Sequence, residues 1–192
     1  LSSYCREKNL LLYMDGARLG AALTCETADL TMSSMYQLTD ALFIGGTKNG
    51  ALLGEALVIR NESLREDVRY LIKQRGGLLA KGRILGIQFE ELFKDNLYLD
   101  LARKTNDLAQ YMVRELRKGG CTFWIDSPTN QIFPIMENGV IEKLSGKYEF
   151  YIWAAIDEEQ SAIRLVTSWT TEETAVRNFV EDYITATSSD QG

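Results

Sequence analysis

Two short apolar runs set the limits on how this chain can fold. Asn9 to Met14 (NLLLYM) stops at Asp15-Gly16, and Ala41 to Ile44 (ALFI) stops at Gly45-Gly46. Runs this short and this continuous are the pattern of strands buried on both faces, as in parallel sheets covered by helices. The stretch from Ala17 to Thr39 is long enough for the helical crossover that parallel strands require. The unit reads as strand, helix, strand, with Glu55 to Ile59 (EALVI) as a third strand beyond the turn region Gly50 to Gly54. Parallel strands joined this way open their carboxyl ends on one edge, and ligands of open α/β sheets bind at that edge.

Helical periodicity follows. Leu64 to Lys73 and Lys81 to Lys94 carry apolar residues at helical spacing, and Leu97 to Lys118 puts Leu101, Leu108, Met112 and Leu116 on one face. Arg114, Arg117 and Lys118 suit the negative end of that helix, and Gly119-Gly120 stops it. Cys121 to Ile125, Gln131 to Met136, Tyr148 to Ala154 and Ala162 to Ser168 read as strands, with a short helix near Val140 to Leu144. Thr170-x-x-Glu173 has the form of a capping box opening a last helix, with Ala175, Val176, Phe179, Val180 and Tyr183 toward the core. The small, polar tail from Thr187 is expected to fray. The order predicts an α/β protein: residues 1–95 as part of a mostly parallel large domain, 96–188 as a small α+β domain, and 189–192 as tail. Leu1 to Lys8 reads as a helix already under way, so the chain is expected to be part of a longer polypeptide.

Composition excludes several functions. The 192 residues are 45% hydrophobic and 25% charged, enough apolar material for a core and too much for a disordered chain. No run approaches the ~18 apolar residues of a membrane span. The net charge of -6 is dispersed, unlike the clustered Lys and Arg of a nucleic-acid surface. The chain has no histidine, which removes Ser-His and Cys-His nucleophile pairs and any histidine-ligated metal; no metal site is expected. Cys5, Cys25 and Cys121 are far apart, which suits free thiols in a reducing compartment and a cytoplasmic location.

The chemistry concentrates at the two strand ends. Asp15 ends the first strand, and Gly45-Gly46-Thr47-Lys48 follows the second. Taken singly, Asp-Gly is a common turn, and a lysine among glycines is commonly a solvated loop residue. A phosphate loop is a weaker alternative, because the G-K-[ST] order is missing. Together the residues offer an acid and an amine to one crevice. A desolvated lysine can form an imine with an aldehyde, and pyridoxal phosphate is the aldehyde whose ring nitrogen needs a carboxylate partner. Thr47 adds a hydroxyl nearby. Arg164 interrupts an apolar strand on the face of Val166, where a guanidinium needs an anion: a substrate carboxylate, or an acidic neighbour in a structural ion pair.

The run Leu11-Leu12-Tyr13-Met14-Asp15-Gly16-Ala17-Arg18, then Thr47-Lys48-Asn49-Gly50, resembles the low-specificity threonine aldolases, in the β-eliminating lyase group of fold-type-I pyridoxal-phosphate enzymes. The resemblance continues through Arg75-Gly76-Gly77, Thr129-Asn130-Gln131-Ile132-Phe133 and Ile163-Arg164-Leu165-Val166-Thr167. It implies that Asp15 bonds the pyridine nitrogen and that Lys48 holds the cofactor as an imine. Arg18 would reach the substrate carboxylate or the cofactor edge, and Arg164 would be a second carboxylate clamp. It implies cleavage of threonine or allo-threonine to glycine and an aldehyde, by a homo-oligomer acting on a small amino acid. Ser168 stands where related enzymes commonly have a histidine. The resemblance also implies that this is roughly the back half of such an enzyme, with an N-terminal half of the same protein and its phosphate-binding residues expected upstream of Leu1. A β-eliminating lyase or an aminotransferase of the same fold, and a non-catalytic partner half, remain alternatives.

Overall fold

The computed structural model describes residues 1–188 and divides into two compact units: Leu1–Thr24 with Ala28–Leu101, and Cys25–Thr27 with the chain from Ala102 onward. The division falls inside a helix, between Leu101 and Ala102. Residues 189–192, expected to be tail, lie outside the described residues.

The first unit runs α1 (Ser2–Glu7), β1 (Tyr13–Gly16), α2 (Leu19–Thr24), α3 (Met32–Leu38), β2 (Ala41–Gly45), β3 (Glu55–Ile59), α4 (Val68–Gln74) and α5 (Arg83–Phe93), and ends in the first turn of α6 (Leu97–Lys118). Its sheet has the order β1-β2-β3, with β1 and β2 parallel and β2 and β3 antiparallel. Leu42 and Ile44 point to one face and pack with Leu19, Ala51, Leu92 and Tyr98. Removing a side chain such as Leu42 from water is worth about 2 kcal/mol. Asp40 fastens the opposite, amino end of the sheet: its carboxylate accepts from Leu12 N (2.9 Å), Arg60 Nη2 (2.7 Å) and Asn61 Nδ2 (3.2 Å).

Several sequence expectations for this unit need correction. The first strand begins at Tyr13, not Asn9, and is not buried on both faces: Leu10, Leu11 and Tyr13 are more than half exposed, because β1 is an edge strand in this chain. The crossover is two short helices, α2 and α3. The latter opens on a capping box between Thr31 and Ser34. The helix expected from Leu64 starts only at Val68, after the 3-10 turn Glu62–Leu64 and a left-handed Asp67 (φ 57°).

The second unit holds the rest of α6, then β4 (Thr122–Ile125), β5 (Gln131–Glu137), α7 (Asn138–Ser145), β6 (Tyr151–Ala155), β7 (Gln160–Val166) and α8 (Glu173–Ser188). Its four strands pair antiparallel in the order β4-β5-β7-β6. Alternation along β5 and β7 turns Ile132, Met136, Ile163 and Leu165 to one face. There they form a core with Leu108, Met112 and Leu116 of α6, with Val140 and Leu144 of α7, and with Val176, Phe179, Val180 and Tyr183 of α8. Leu101 belongs instead to the first core. Gly120, at φ 83°, ends α6 in the left-handed conformation that glycine tolerates, and Cys121 N bonds back to Leu116 O (3.0 Å). The Thr170 capping box does not form. The helix starts at Glu173, Thr170 Oγ1 pairs with Ser168 Oγ (2.9 Å), and Arg177 takes the Glu173 carboxylate. Ala175 is exposed, unlike the other four residues expected in the core. Thr187 and Ser188, expected to fray, are helical, and their hydroxyls donate to Tyr183 O and Ile184 O.

Candidate functional site

The parallel register Asp15↔Phe43, Gly16↔Ile44 brings the carboxyl ends of β1 and β2 to one edge of the first sheet. Asp15 is exposed there, on the same side of β1 as Tyr13, whose ring meets Phe43 edge-on at 5.8 Å. Its Oδ1 accepts from Ala17 N at 3.0 Å, which holds the carboxylate over the strand tip. Backbone contact locks the two tips together. A Cβ on Gly16 would lie 2.0 Å from Phe43 O, and one on Gly45 would lie 2.4 Å from Ala17 O. Only glycine permits this approach, so the Asp-Gly and Gly-Gly pairs are packing features as well as turns.

The loop after β2 is held from three sides. Glu55, the partner of Gly45 in the antiparallel register, accepts from Gly46 N (2.8 Å) and from the Thr47 hydroxyl (3.3 Å). Asn49 N and Ala51 N both donate to Gly46 O, at 2.9 and 3.0 Å. Tyr98, 1% exposed, reaches the loop twice: its hydroxyl donates to Gly45 O (3.0 Å), and its carbonyl accepts from Asn49 Nδ2 (2.7 Å). Burial pushes the Tyr98 phenol up to about 12, so it remains a donor. Within this fastened loop Lys48 is exposed, and its amine has no hydrogen bond or ion pair among the described residues. Desolvation of the amine, expected from the sequence, is not found in this chain. Arg18 is half-buried in the turn between β1 and α2. The Thr47 hydroxyl is already engaged by Glu55.

Arg164 lies in the second unit, on the face of β7 opposite the core. It is half-buried, and its Nε is fully covered without an acceptor. The alternative of a structural ion pair with an acidic neighbour is absent among the described residues. Val166, on the same face, is 40% exposed and with Arg164, Tyr148, Glu149 and Tyr151 lines an open cavity of about 520 Å³. Nearby, Asn130 Nδ2 donates to Thr167 O (2.7 Å), and the Thr167 hydroxyl donates to Thr105 O (2.6 Å). Ser168 N bonds the Thr171 hydroxyl (2.8 Å), a local turn contact.

Asp15, Thr47 and Lys48 thus share one sheet edge, with Arg18 in the adjoining turn, while Arg164 is built into a separate unit. Sequence reasoning missed Glu55, Asn49 and Tyr98. Cross-strand register places Glu55 beside the lysine loop, and Tyr98 meets Asn49 and Gly45 across 49 and 53 residues, so no local pattern announces them. The donor set at the edge fits the two demands of pyridoxal phosphate: a carboxylate for the ring nitrogen and an uncommitted amine for the aldehyde. The three glycines leave the backbone low beside them, where a flat ring needs clearance.

A family model described as beta-eliminating lyase matches residues 1–165. The low-specificity L-threonine aldolase of a Pseudomonas strain is 34% identical, over 95% of this chain and 52% of its own length. The corresponding Pseudomonas aeruginosa protein is 31% identical with the same coverages. The chain thus spans about half the length of the curated relatives it matches. A solved structure of Leishmania major threonine aldolase superposes with a TM-score of 0.92 at 43% identity, covering 95% of this chain and 53% of that one.

Proposed function

We propose, for a chain that belongs to the beta-eliminating lyase family, that it carries the lysine-bearing part of an enzyme cleaving a β-hydroxy-α-amino acid, threonine or allo-threonine, to glycine and an aldehyde. The observation that supports this most is the shared edge: the strand tip that carries Asp15 and the one that leads to Lys48 interlock through Gly16 and Gly45 at the carboxyl end of the sheet. The names of the Pseudomonas relatives point to the same reaction.

In this reading Lys48 attaches the cofactor through its amine, and the clamp of Glu55, Asn49 and Tyr98 fixes the loop that presents it. Asp15, with one carboxylate oxygen tethered to Ala17 N, would hold a proton at the pyridine nitrogen of the bound cofactor. Pyridoxal phosphate, when bound, supplies the electron sink into which the Cα–Cβ bond breaks. Arg164 donates bidentately to the substrate carboxylate, with Arg18 at the cofactor edge or a second carboxylate contact. Thr47 offers its oxygen lone pairs to the cofactor, since its proton is directed at Glu55. The full enzyme is a cytoplasmic homo-oligomer, and the phosphate-binding groups come from the part of the protein outside this chain. Cys5, Cys25 and Cys121 form no disulfide among the described residues, which is consistent with that compartment.

The test is spectroscopic. The full protein mixed with pyridoxal phosphate should gain the visible absorbance of a lysine-bound cofactor, and Lys48→Ala should abolish it; colour that persists in the variant overturns the assignment. Product analysis on an amino-acid panel separates the two chemistries, since aldol cleavage releases glycine and β-elimination releases a keto acid.

A further inference from the structure

We propose that Tyr151 and Trp153 are positioning residues that hold the Arg164 guanidinium ready for an amino-acid carboxylate, an inference that rests on the role given to Arg164 above. Tyr151 stands opposite Arg164 in the β6–β7 register, and Trp153 lies two residues further along β6. The guanidinium carbon is 5.0 Å from the Tyr151 ring centre and 5.3 Å from that of Trp153. Trp153 is braced in turn by Phe133 at 5.2 Å and Trp124 at 6.5 Å, so the wall extends across three strands.

What the guanidinium lacks is as telling as what it touches. Among the described residues it makes no hydrogen bond or ion pair, and its Nε is buried without an acceptor. Aromatic faces attract a cation through their quadrupoles and use none of its N–H donors. An acidic partner would hold the same side chain as firmly, but it would occupy the fork and compete with an incoming carboxylate. The two rings flank the guanidinium without engaging its N–H donors, and Arg164 lines a cavity of about 520 Å³, large enough for a small amino acid. Glu149 lines that cavity without pairing to Arg164.

Calorimetric titration of the full, cofactor-loaded protein with glycine tests this, alongside steady-state cleavage of threonine. Tyr151→Leu and Trp153→Leu should each weaken glycine binding about threefold, and together about tenfold, as expected for cation–π contacts at partly exposed positions. KM should rise in proportion while kcat stays within about twofold, because uniform binding is lost and not the chemical step. Tyr151→Phe and Trp153→Phe keep a ring and should retain wild-type affinity. Both side chains are substantially exposed, at 69% and 45%, so the melting temperature should change little. Leucine variants that bind glycine like wild type, when Arg164→Met binds it weakly, overturn the positioning role and leave the Arg164 assignment intact. Unchanged glycine binding in Arg164→Met overturns that assignment itself.

Discussion

Asp15 and Asp40 belong to the same sheet, stand at opposite ends of it, and should respond differently to substitution. The Asp15 side chain is exposed and, among the described residues, bonds only its own turn. Asp15→Asn should leave the melting temperature unchanged and lower kcat for amino-acid cleavage about 100-fold, the scale of losing one preorganised electrostatic contact. Asp40 is structural. The Leu12 N–H, then Asn61, Arg60 and Arg6, hold its carboxyl below the ordinary range against the opposing effect of burial. A carboxylate depressed in the folded state contributes stability above its unfolded value of about 3.9, and that contribution is lost as pH falls through the lower folded value. Melting curves on acidification should therefore show a steeper loss for wild type than for Asp40→Asn. At neutral pH, Asp40→Ala should cost about 2 kcal/mol in denaturant unfolding. Lys48 and Asp15 were legible in the sequence because strand tips are marked by glycine. Asp40 was not, since its partners Leu12, Arg60 and Asn61 lie 20 to 28 residues away, in two other segments.

At the scale of elements, glycines separate strain from slack. Gly45→Ala would drive a methyl into Ala17 O and should destabilise the fold by about 3 kcal/mol, the upper range for overpacking, with loss of cofactor binding. Gly86, inside α5, has open space where a methyl would stand, with no neighbouring atom within 4 Å, so Gly86→Ala should stabilise by about 1 kcal/mol through helix propensity alone. Thermal melts of the two variants, shifting in opposite directions, check both statements. The boundaries of α6 were readable because a 22-residue amphipathic period with basic residues near its end and a double glycine after it has one interpretation. β1 was misjudged because a run of leucines reports apolarity, not whether neighbours cover it. The capping box failed for a related reason: the Thr170–Glu173 spacing was right, but Thr171 bonded Ser168 N and delayed the helix.

Across the whole molecule, the second unit encloses a large core, whereas the first leaves Leu10, Leu11, Tyr13, Leu52 and Leu53 each more than half exposed. Leu10, Leu11 and Tyr13 follow one another at the uncovered edge of the sheet, where exposed apolar surface marks an interaction site or an association hazard. The chain expressed by itself should bind a hydrophobic dye and self-associate with rising concentration by light scattering, and both signals should fall when it is expressed with the rest of its polypeptide. No helix among the described residues is long and apolar enough to cross a membrane. Fold class was legible because it follows from the alternation of apolar runs, whereas the environment of Arg164 depends on β6 and β7 pairing in one register. The placing of Asp40 at one end of a sheet and Lys48 at the other has an evolutionary corollary. Lesions at the Lys48 end should yield full-length protein at normal cellular abundance, and lesions at the Asp40 end should be cleared by proteases. A saturation screen scoring expression and turnover separately would sort the two ends into different classes.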